Sequence, residues 1–246
     1  MPEELAALAD HVFRVRQPPQ EELDRLGVEG WNLRNGASLS ELAPEQLVLC
    51  ERLLRLHLFD ERARGLMLDG RLFALVRALW PGEPLAVHTL YFPKPPGGRG
   101  MALHTDRAYL PVEPAEVVGC FIAVDDTDQD NGALEVVRGS HRLPLPERRT
   151  ISSRDPIFPE EFAQPPETER VLVPMRSGDV LLFHGDTLHS SAPNRTADRW
   201  RRAFICHYVS AAVRLVSVHL NPAFRSTGER VPAPGHRAVT NAAPTG

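Results

Sequence analysis

The 246-residue sequence has little cysteine, no excess of positive charge and no long apolar run, and each shortage removes a class of protein. Its three cysteines, Cys50, Cys120 and Cys206, are an odd number in mainly apolar surroundings, which argues against a disulfide framework and for a reducing, cytoplasmic compartment. No apolar stretch approaches the ~18 residues that a membrane span needs. The opening MPEELAALADHVFRV is acidic where an export signal is basic, so an unexported protein is expected. Positive charge is not in excess either: 28 Lys plus Arg stand against 32 Asp plus Glu, a formal net charge of −4, which gives no reason to expect nucleic acid or an anionic membrane as partner. Basic clusters such as Arg199, Arg201 and Arg202 therefore need local explanations.

What is present divides the chain. Leu5, Leu8, Val12 and Phe13 fall at helical spacing, and residues 20–26 suit a short second helix. From Pro44 to Phe59, Leu47, Val48, Leu53, Leu54 and Leu58 predict the strongest helix of the chain, with Pro44 suited to its first turn. Leu72, Phe73, Leu75, Val76 and Leu79 form another apolar stripe that stops at Pro81-Gly82. Residues 1–82 thus read as a helical scaffold. From Pro84 the chain is rich in β-branched and aromatic residues, with strand patterns at LAVHTLYF, at 101–105, at VVGCFIAV (117–124), at LEVV (134–137), and in VLVPM, DVLLFH and WRRAFICHYV. The charged, Pro-rich connection from Leu143 to Arg170 is long enough to be a lid or a substrate-facing insertion. After Leu220 a loosely packed tail over 221–246 is expected, folding over the mouth of the site. Helices first and strands later give an α+β class, as one domain over 1–246 with a β-core at 84–220.

His104-Thr105-Asp106 ends a strand pattern, and period-2 alternation puts its imidazole and carboxylate on one face, a two-point grip for a metal. Taken alone, the triplet reads more readily as a surface turn. With His189 it makes a two-histidine, one-carboxylate set, which leaves coordination positions open and suits a non-haem Fe(II) oxygenase; zinc is more often held by four ligands in a closed set. Arg201 follows on the next strand, and a guanidinium grips a carboxylate through two parallel hydrogen bonds. An open iron beside a carboxylate clamp is what a 2-oxo acid needs.

Several pieces, KPPG before the HTD triplet, Tyr109 and Pro111 after it, QDNGALEVVRGSH, and the ordered block GDVLLFH, LHSSAPNRT and RRAFICHY, resemble the phytanoyl-CoA dioxygenase-like Fe(II)/2-oxoglutarate oxygenases over Tyr91 to Tyr208. The resemblance implies a double-stranded β-helix (a jelly-roll, cupin-like core) with helices packed on one side. It makes His104, Asp106 and His189 the iron ligands and Arg201 the partner of the distal carboxylate of 2-oxoglutarate. It matches Ser191 and Lys94 to positions that help hold this cosubstrate, and Phe121 to a position where relatives carry tryptophan. It further implies Fe(II), 2-oxoglutarate and O2 as cofactor and cosubstrates, a small-molecule substrate hydroxylated at an unactivated C–H bond, and succinate and CO2 as coproducts. The retained carboxylate of Asp106 favours hydroxylation over halogenation.

Alternatives remain inside the chain. The interval from His189 to the arginine pair is one residue longer than in relatives, so Arg202 competes with Arg201 for the clamp; RRAFICHY aligns without a further gap only for Arg201. His184-Gly185-Asp186 is a second HxD triplet that would need His207 as third ligand. His141 reads as structural or as an outer neighbour of the metal ligands, His88 and His207 as hydrogen-bonded core histidines, and His11, His57, His219 and His236 as surface residues. Two other classes compete with the hydroxylase: a cupin-like metal enzyme that does without 2-oxoglutarate, and a non-catalytic β-helix binding module. Arg107, Tyr109, the 143–170 connection and the tail are the candidate substrate contacts; Arg107 and Arg138 could bind an anionic group, but both read more readily as solvated surface arginines. Nothing in the sequence sets an oligomeric state.

Overall fold

Side chains along three long strands alternate between two different neighbours, and that alternation sets the layers. In the computed structural model the described residues are all but positions 1, 17, 20, 23–24, 26–37, 48–51, 151–159, 218–219 and 238–246. The strands are β1 (Leu53–Leu54), β2 (Leu85–Lys94), β3 (Met101–His104), β4 (Val112–Glu113), β5 (Val117–Ala123), β6 (Leu134–Val137), β7 (Arg148–Thr150) and β8 (Glu160–Phe162). They continue with β9 (Arg170–Val173), β10 (Val180–His184), β11 (His189–Ser191), β12 (Arg201–Val209), β13 (Leu215–Ser217), β14 (Ala223–Phe224), β15 (Arg230–Val231) and β16 (His236–Arg237). A seven-stranded sheet runs β10-β5-β12-β2-β14-β15 with β1 added to β2, and a four-stranded sheet runs β3-β11-β6-β9.

Odd and even positions of β5 and β12 face different layers. Val118, Cys120, Ile122, Phe204, Cys206 and Tyr208 pack with Leu5, Leu8, Val12, Met67, Phe73 and Val76 of the helices. Phe121, Ala123, Ala203 and Ile205 instead pack with Leu134 and Met175 in the space between the two sheets. The result is a double-stranded β-helix with helices on one side, as the resemblance implied. Tyr208 couples the layers: its ring meets Phe73 edge-on with centroids 5.2 Å apart, and its hydroxyl donates to the Met67 carbonyl at 2.7 Å. Cys120 and Cys206 are buried free thiols on adjacent strands; Cys50 lies outside the described residues. Among the described residues no helix is long and apolar enough to cross a membrane.

Helices form at Pro2–Arg14 and Gly70–Arg77 where spacing predicts them, and at Glu61–Met67 between. The long helix expected from Pro44 to Phe59 does not form. Only Pro44–Leu47 is helical; Leu53 and Leu54 pair with Tyr91 and Leu90, and Arg55 adopts a left-handed φ of 56° that no helix continues through. Apolar spacing marked which side chains are buried, but edge pairing with β2 decided their backbone. The 20–26 expectation falls largely outside the described residues. The 143–170 connection is partly ordered as the β7–β8 hairpin, with 151–159 outside the described residues. The tail is not loose as far as Arg237: Phe224 pairs with Ala86, β16 lies parallel to β13, and Ala223, Phe224 and Ala233 are buried. It pairs with β2 at Ala86, near the end opposite Lys94.

His57, expected at the surface, is fully buried, with Nδ1 2.9 Å from the Thr89 hydroxyl. Burial first, then neighbouring cationic groups, hold His57 and His88 well below the ordinary imidazole range. The unfolded chain therefore takes up protons at both positions below about pH 6.5 while the folded chain does not. Folding stability is full above that pH and falls below it, with a slope approaching ~2.7 kcal/mol per pH unit from these two groups. Urea midpoints at pH 7.5 and pH 5.5 will show the loss, and His57→Phe will flatten it; equal midpoints would contradict two buried neutral imidazoles.

A candidate metal and carboxylate site

Strand β11 lies between β3 and β6, and its register makes His189 the cross-strand partner of His104, with ring centroids 4.1 Å apart. Strand β3 ends at His104. Thr105 keeps extended dihedrals (φ −120°, ψ 146°), which preserves the alternation, and Asp106 opens the 3-10 turn Asp106–Ala108. The carboxylate is thus delivered by a turn rather than by the strand itself. One donor atom each from His104, Asp106 and His189 lies within 4.8 Å of the others, and this is the one such His/Cys/Asp/Glu group among the described residues.

The donor set is prepared for a cation. Each imidazole Nδ1 faces the carbonyl two residues earlier, His104 to Ala102 at 2.8 Å and His189 to Thr187 at 2.9 Å. Nδ1 donates to that carbonyl, so Nε2 is left as a lone-pair donor. Burial, then the neighbouring His189, push His104 down to about 3, so it is neutral at physiological pH. Burial alone would raise the Asp106 carboxyl, but His207, His189 and a hydrogen bond from His207 outweigh it and hold Asp106 well below the usual carboxylate range. Asp106 Oδ1 lies 3.6 Å from His189 Nε2. Three buried or half-buried donors, two imidazole nitrogens and one carboxylate, fit a divalent metal with open positions.

The same cavity also holds a buried guanidinium. His104, Asp106, Phe121, His189, Ser191, Arg201 and His207 all line it. Arg201 is 3% exposed, its guanidinium sits 5.7 Å from the Phe92 ring and 6.0 Å from the Phe121 ring, and its Nη2 lies 3.4 Å from the Ser191 hydroxyl. Its Nε is buried with no hydrogen-bond partner, and no ion-pair partner lies against it among the described residues. Burial lowers it only to about 10, so it stays charged. A buried guanidinium that has only a through-space interaction with Asp125 and no carboxylate bonded to it is costly, and an anionic ligand would compensate it. Lys94, the cross-strand partner of Arg201 and the only lysine of the sequence, donates to Ser191 Oγ and to the Ala192 carbonyl, both at 2.8 Å.

Arg202 points the other way. Its Nε and Nη2 bind Asp125 at 2.9 and 2.6 Å, on the face of β12 that carries Phe204, Cys206 and Tyr208 toward the helices. The rival triplet does not assemble among the described residues: Asp186 accepts from Arg107 at 2.5 Å and His184 stacks near His141, with centroids 5.8 Å apart. Arg138 makes only an exposed 3.7 Å pair with Glu169. His207 is buried and hydrogen-bonded as a core histidine should be, yet its partner is Asp106, at 3.0 Å. Sequence reasoning did not place it in the site, although it shares the parity of Arg201, Ala203 and Ile205 on one strand. Gly119 was missed as well: a Cβ there would stand 3.1 Å from Asp106 Oδ2.

Comparison with known proteins agrees with this architecture. A family profile described as "Phytanoyl-CoA dioxygenase (PhyH)" matches residues 4–203. Phytanoyl-CoA dioxygenase domain-containing protein 1 of Mus musculus is 32% identical over 163 residues, which cover 64% of this chain and 56% of that protein. The peroxisomal phytanoyl-CoA dioxygenase of Rattus norvegicus is 31% identical over 142 residues, covering 54% of this chain and 42% of that protein. The chain therefore spans about half the length of the curated relatives it matches. Among solved structures, the epimerase SnoN, in complex with Fe3+, alpha ketoglutarate and nogalamycin RO, superposes with a TM-score of 0.57 at 25% identity, covering 66% of this chain and 64% of its own. The apo non-heme monooxygenase ThoJ shares the fold at TM-score 0.64 and 20% identity, covering 98% of this chain and 83% of its own. With the profile spanning most of its length, this chain belongs to the phytanoyl-CoA dioxygenase family.

Proposed function

We propose that the chain is an Fe(II)- and 2-oxoglutarate-dependent dioxygenase that hydroxylates an unactivated C–H bond of a small molecule, with one oxygen atom of O2 entering the product and the other entering succinate as CO2 leaves. One observation carries the reading: an open three-donor set and a buried guanidinium without a carboxylate partner line the same cavity. His104, Asp106 and His189 would hold the iron. When bound, iron supplies the oxygen activation that is coupled to decarboxylation of the 2-oxo acid.

The chain's own residues bind, orient and exclude. Arg201 takes the distal carboxylate of 2-oxoglutarate in a two-point grip, between Phe92 and Phe121, which keep water from it. Lys94 and Ser191 hold one another and present a hydroxyl beside that carboxylate. Leu90, Leu134, Phe183 and Ile205 supply apolar walls against which an uncharged part of a substrate can lie. The buried cation also separates this reading from a cupin-like enzyme that does without 2-oxoglutarate, in which Arg201 would have no function. The SnoN structure, described as an epimerase with bound Fe3+ and alpha ketoglutarate, lends support from a protein of comparable fold.

The test is spectroscopic. Anaerobic addition of Fe(II) and 2-oxoglutarate will produce a weak visible charge-transfer band that neither gives alone. A fully metallated sample that shows no band on adding 2-oxoglutarate would refute the cosubstrate assignment.

A further inference from the structure

Asp106 has two carboxylate oxygens, and the structure treats them differently. Oδ1 faces His189, whereas Oδ2 lies 3.0 Å from His207 Nε2. His207 is 2% exposed, and it stands directly across from Gly119 in the pairing of β12 with β5. A methyl group at Gly119 would meet Asp106 Oδ2 and the Phe183 ring, each at 3.1 Å. Distances of that size are tighter than ordinary van der Waals contact, so the carboxylate sits in a space that glycine alone leaves open.

We propose that His207 and Gly119 form a seat that fixes the Asp106 carboxylate, with His207 donating to Oδ2 and Gly119 giving that oxygen room, so that only Oδ1 is presented to a metal held by His104 and His189. The inference rests on the metal-site reading above and deepens it. His207 is a positioning residue: it acts through Asp106.

Three further features support the seat. His207 Nδ1 is buried without a hydrogen-bond partner, so the contact from Nε2 to Asp106 is the side-chain hydrogen bond that this ring makes among the described residues. His88 closes the other side of the ring, with centroids 5.4 Å apart, so His207 has little freedom to turn away. Finally, the two histidine ligands already have their outer nitrogens fixed by backbone carbonyls, and the seat gives the third ligand an equivalent restraint. Carboxylate ligation through one oxygen keeps a coordination position free for the cosubstrate.

The experiment is an anaerobic titration of the full chain with Co(II), whose visible bands report binding without any turnover. His207→Leu and Gly119→Ala are each expected to weaken Co(II) binding roughly 10–100-fold, the usual cost of losing an outer partner of a metal ligand. His207→Gln, whose amide nitrogen reaches the position of Nε2, is expected to restore most of that loss, and His207→Asn, whose shorter side chain does not reach it, is expected not to. If the Leu variant fails to fold, the Gln and Asn variants decide between them. Wild-type affinity in the Leu variant, or equal affinity in Gln and Asn, would overturn the seat while leaving the metal site intact. Complete loss of binding in His207→Gln would make His207 a ligand itself and overturn it too. Failure of the wild-type protein to bind Co(II) would instead remove the metal-site reading, and the seat with it.

Discussion

His189→Ala is expected to abolish Fe(II) binding, and turnover with it, while His184→Ala leaves both near wild type. The two histidines lie five residues apart around one turn, but only His189 places a donor atom with those of His104 and Asp106. Removing it leaves two donors, one neutral and one anionic, in a half-open cavity. The loss should far exceed the roughly 10–100-fold typical of an outer partner. The ring also packs against Phe183, with centroids 4.8 Å apart, so some stability is lost as well. The variant's melting curve without metal separates that contribution from the binding defect, and His189→Gln retains more of the packing. Isothermal titration under anaerobic conditions reads the affinity. Full affinity in His189→Ala, with loss in His184→Ala, would move the site to the second triplet.

Arg201→Leu should raise the 2-oxoglutarate concentration needed for half-saturation far more than Arg202→Leu. Truncating one partner of a buried, hydrogen-bonded charge pair costs about 2–5 kcal/mol, or roughly 30-fold to several thousand-fold in affinity. Arg201 meets those conditions: it is buried, flanked by two aromatic rings, and open to the cavity that holds the three donors. Arg202→Leu instead strands Asp125, so its effect is expected in the unfolding midpoint, with cosubstrate affinity little changed. Arg201→Lys should not rescue, because one ammonium cannot reproduce a two-point planar grip. Titrating 2-oxoglutarate against the charge-transfer band of the Fe(II) form measures all three variants, and a larger shift in Arg202→Leu would reverse the assignment.

Both contrasts show where reading the chain was sufficient. The unbroken apolar run at 117–124 and the β-branched and aromatic content of LAVHTLYF were enough to place a β-core, because side-chain period and residue chemistry are local properties, and the order of HTD, LHSS and RRAF carried the resemblance that implied a metal site. The same local logic failed at Pro44–Phe59. Spacing there reports burial, and burial is satisfied equally well by a helix or by a two-residue strand on the edge of β2. The tail failed for a related reason: Ala223 and Ala233 pack with Leu85, Val87, Val112, Val117, Val209 and Val216, and Phe224 packs into the core shared with the helices. A low apolar count over 221–246 gave no sign of that packing.

By itself the sequence determined the residue types of the candidate site and their order along the chain: two histidines and an aspartate suited to a metal, and an arginine pair suited to an anion. Tertiary structure decided which members of each set meet. Strand alternation says that only one of Arg201 and Arg202 can face inward, but the layer on each side of β12 is fixed only when the sheet is packed between helices and the second sheet. His207 and Gly119 reach Asp106 because β12 and β5 are paired in one particular register, across 88 positions of sequence that carry no record of the pairing. Chemistry is encoded residue by residue, whereas proximity arises from non-local strand pairing and the burial it completes.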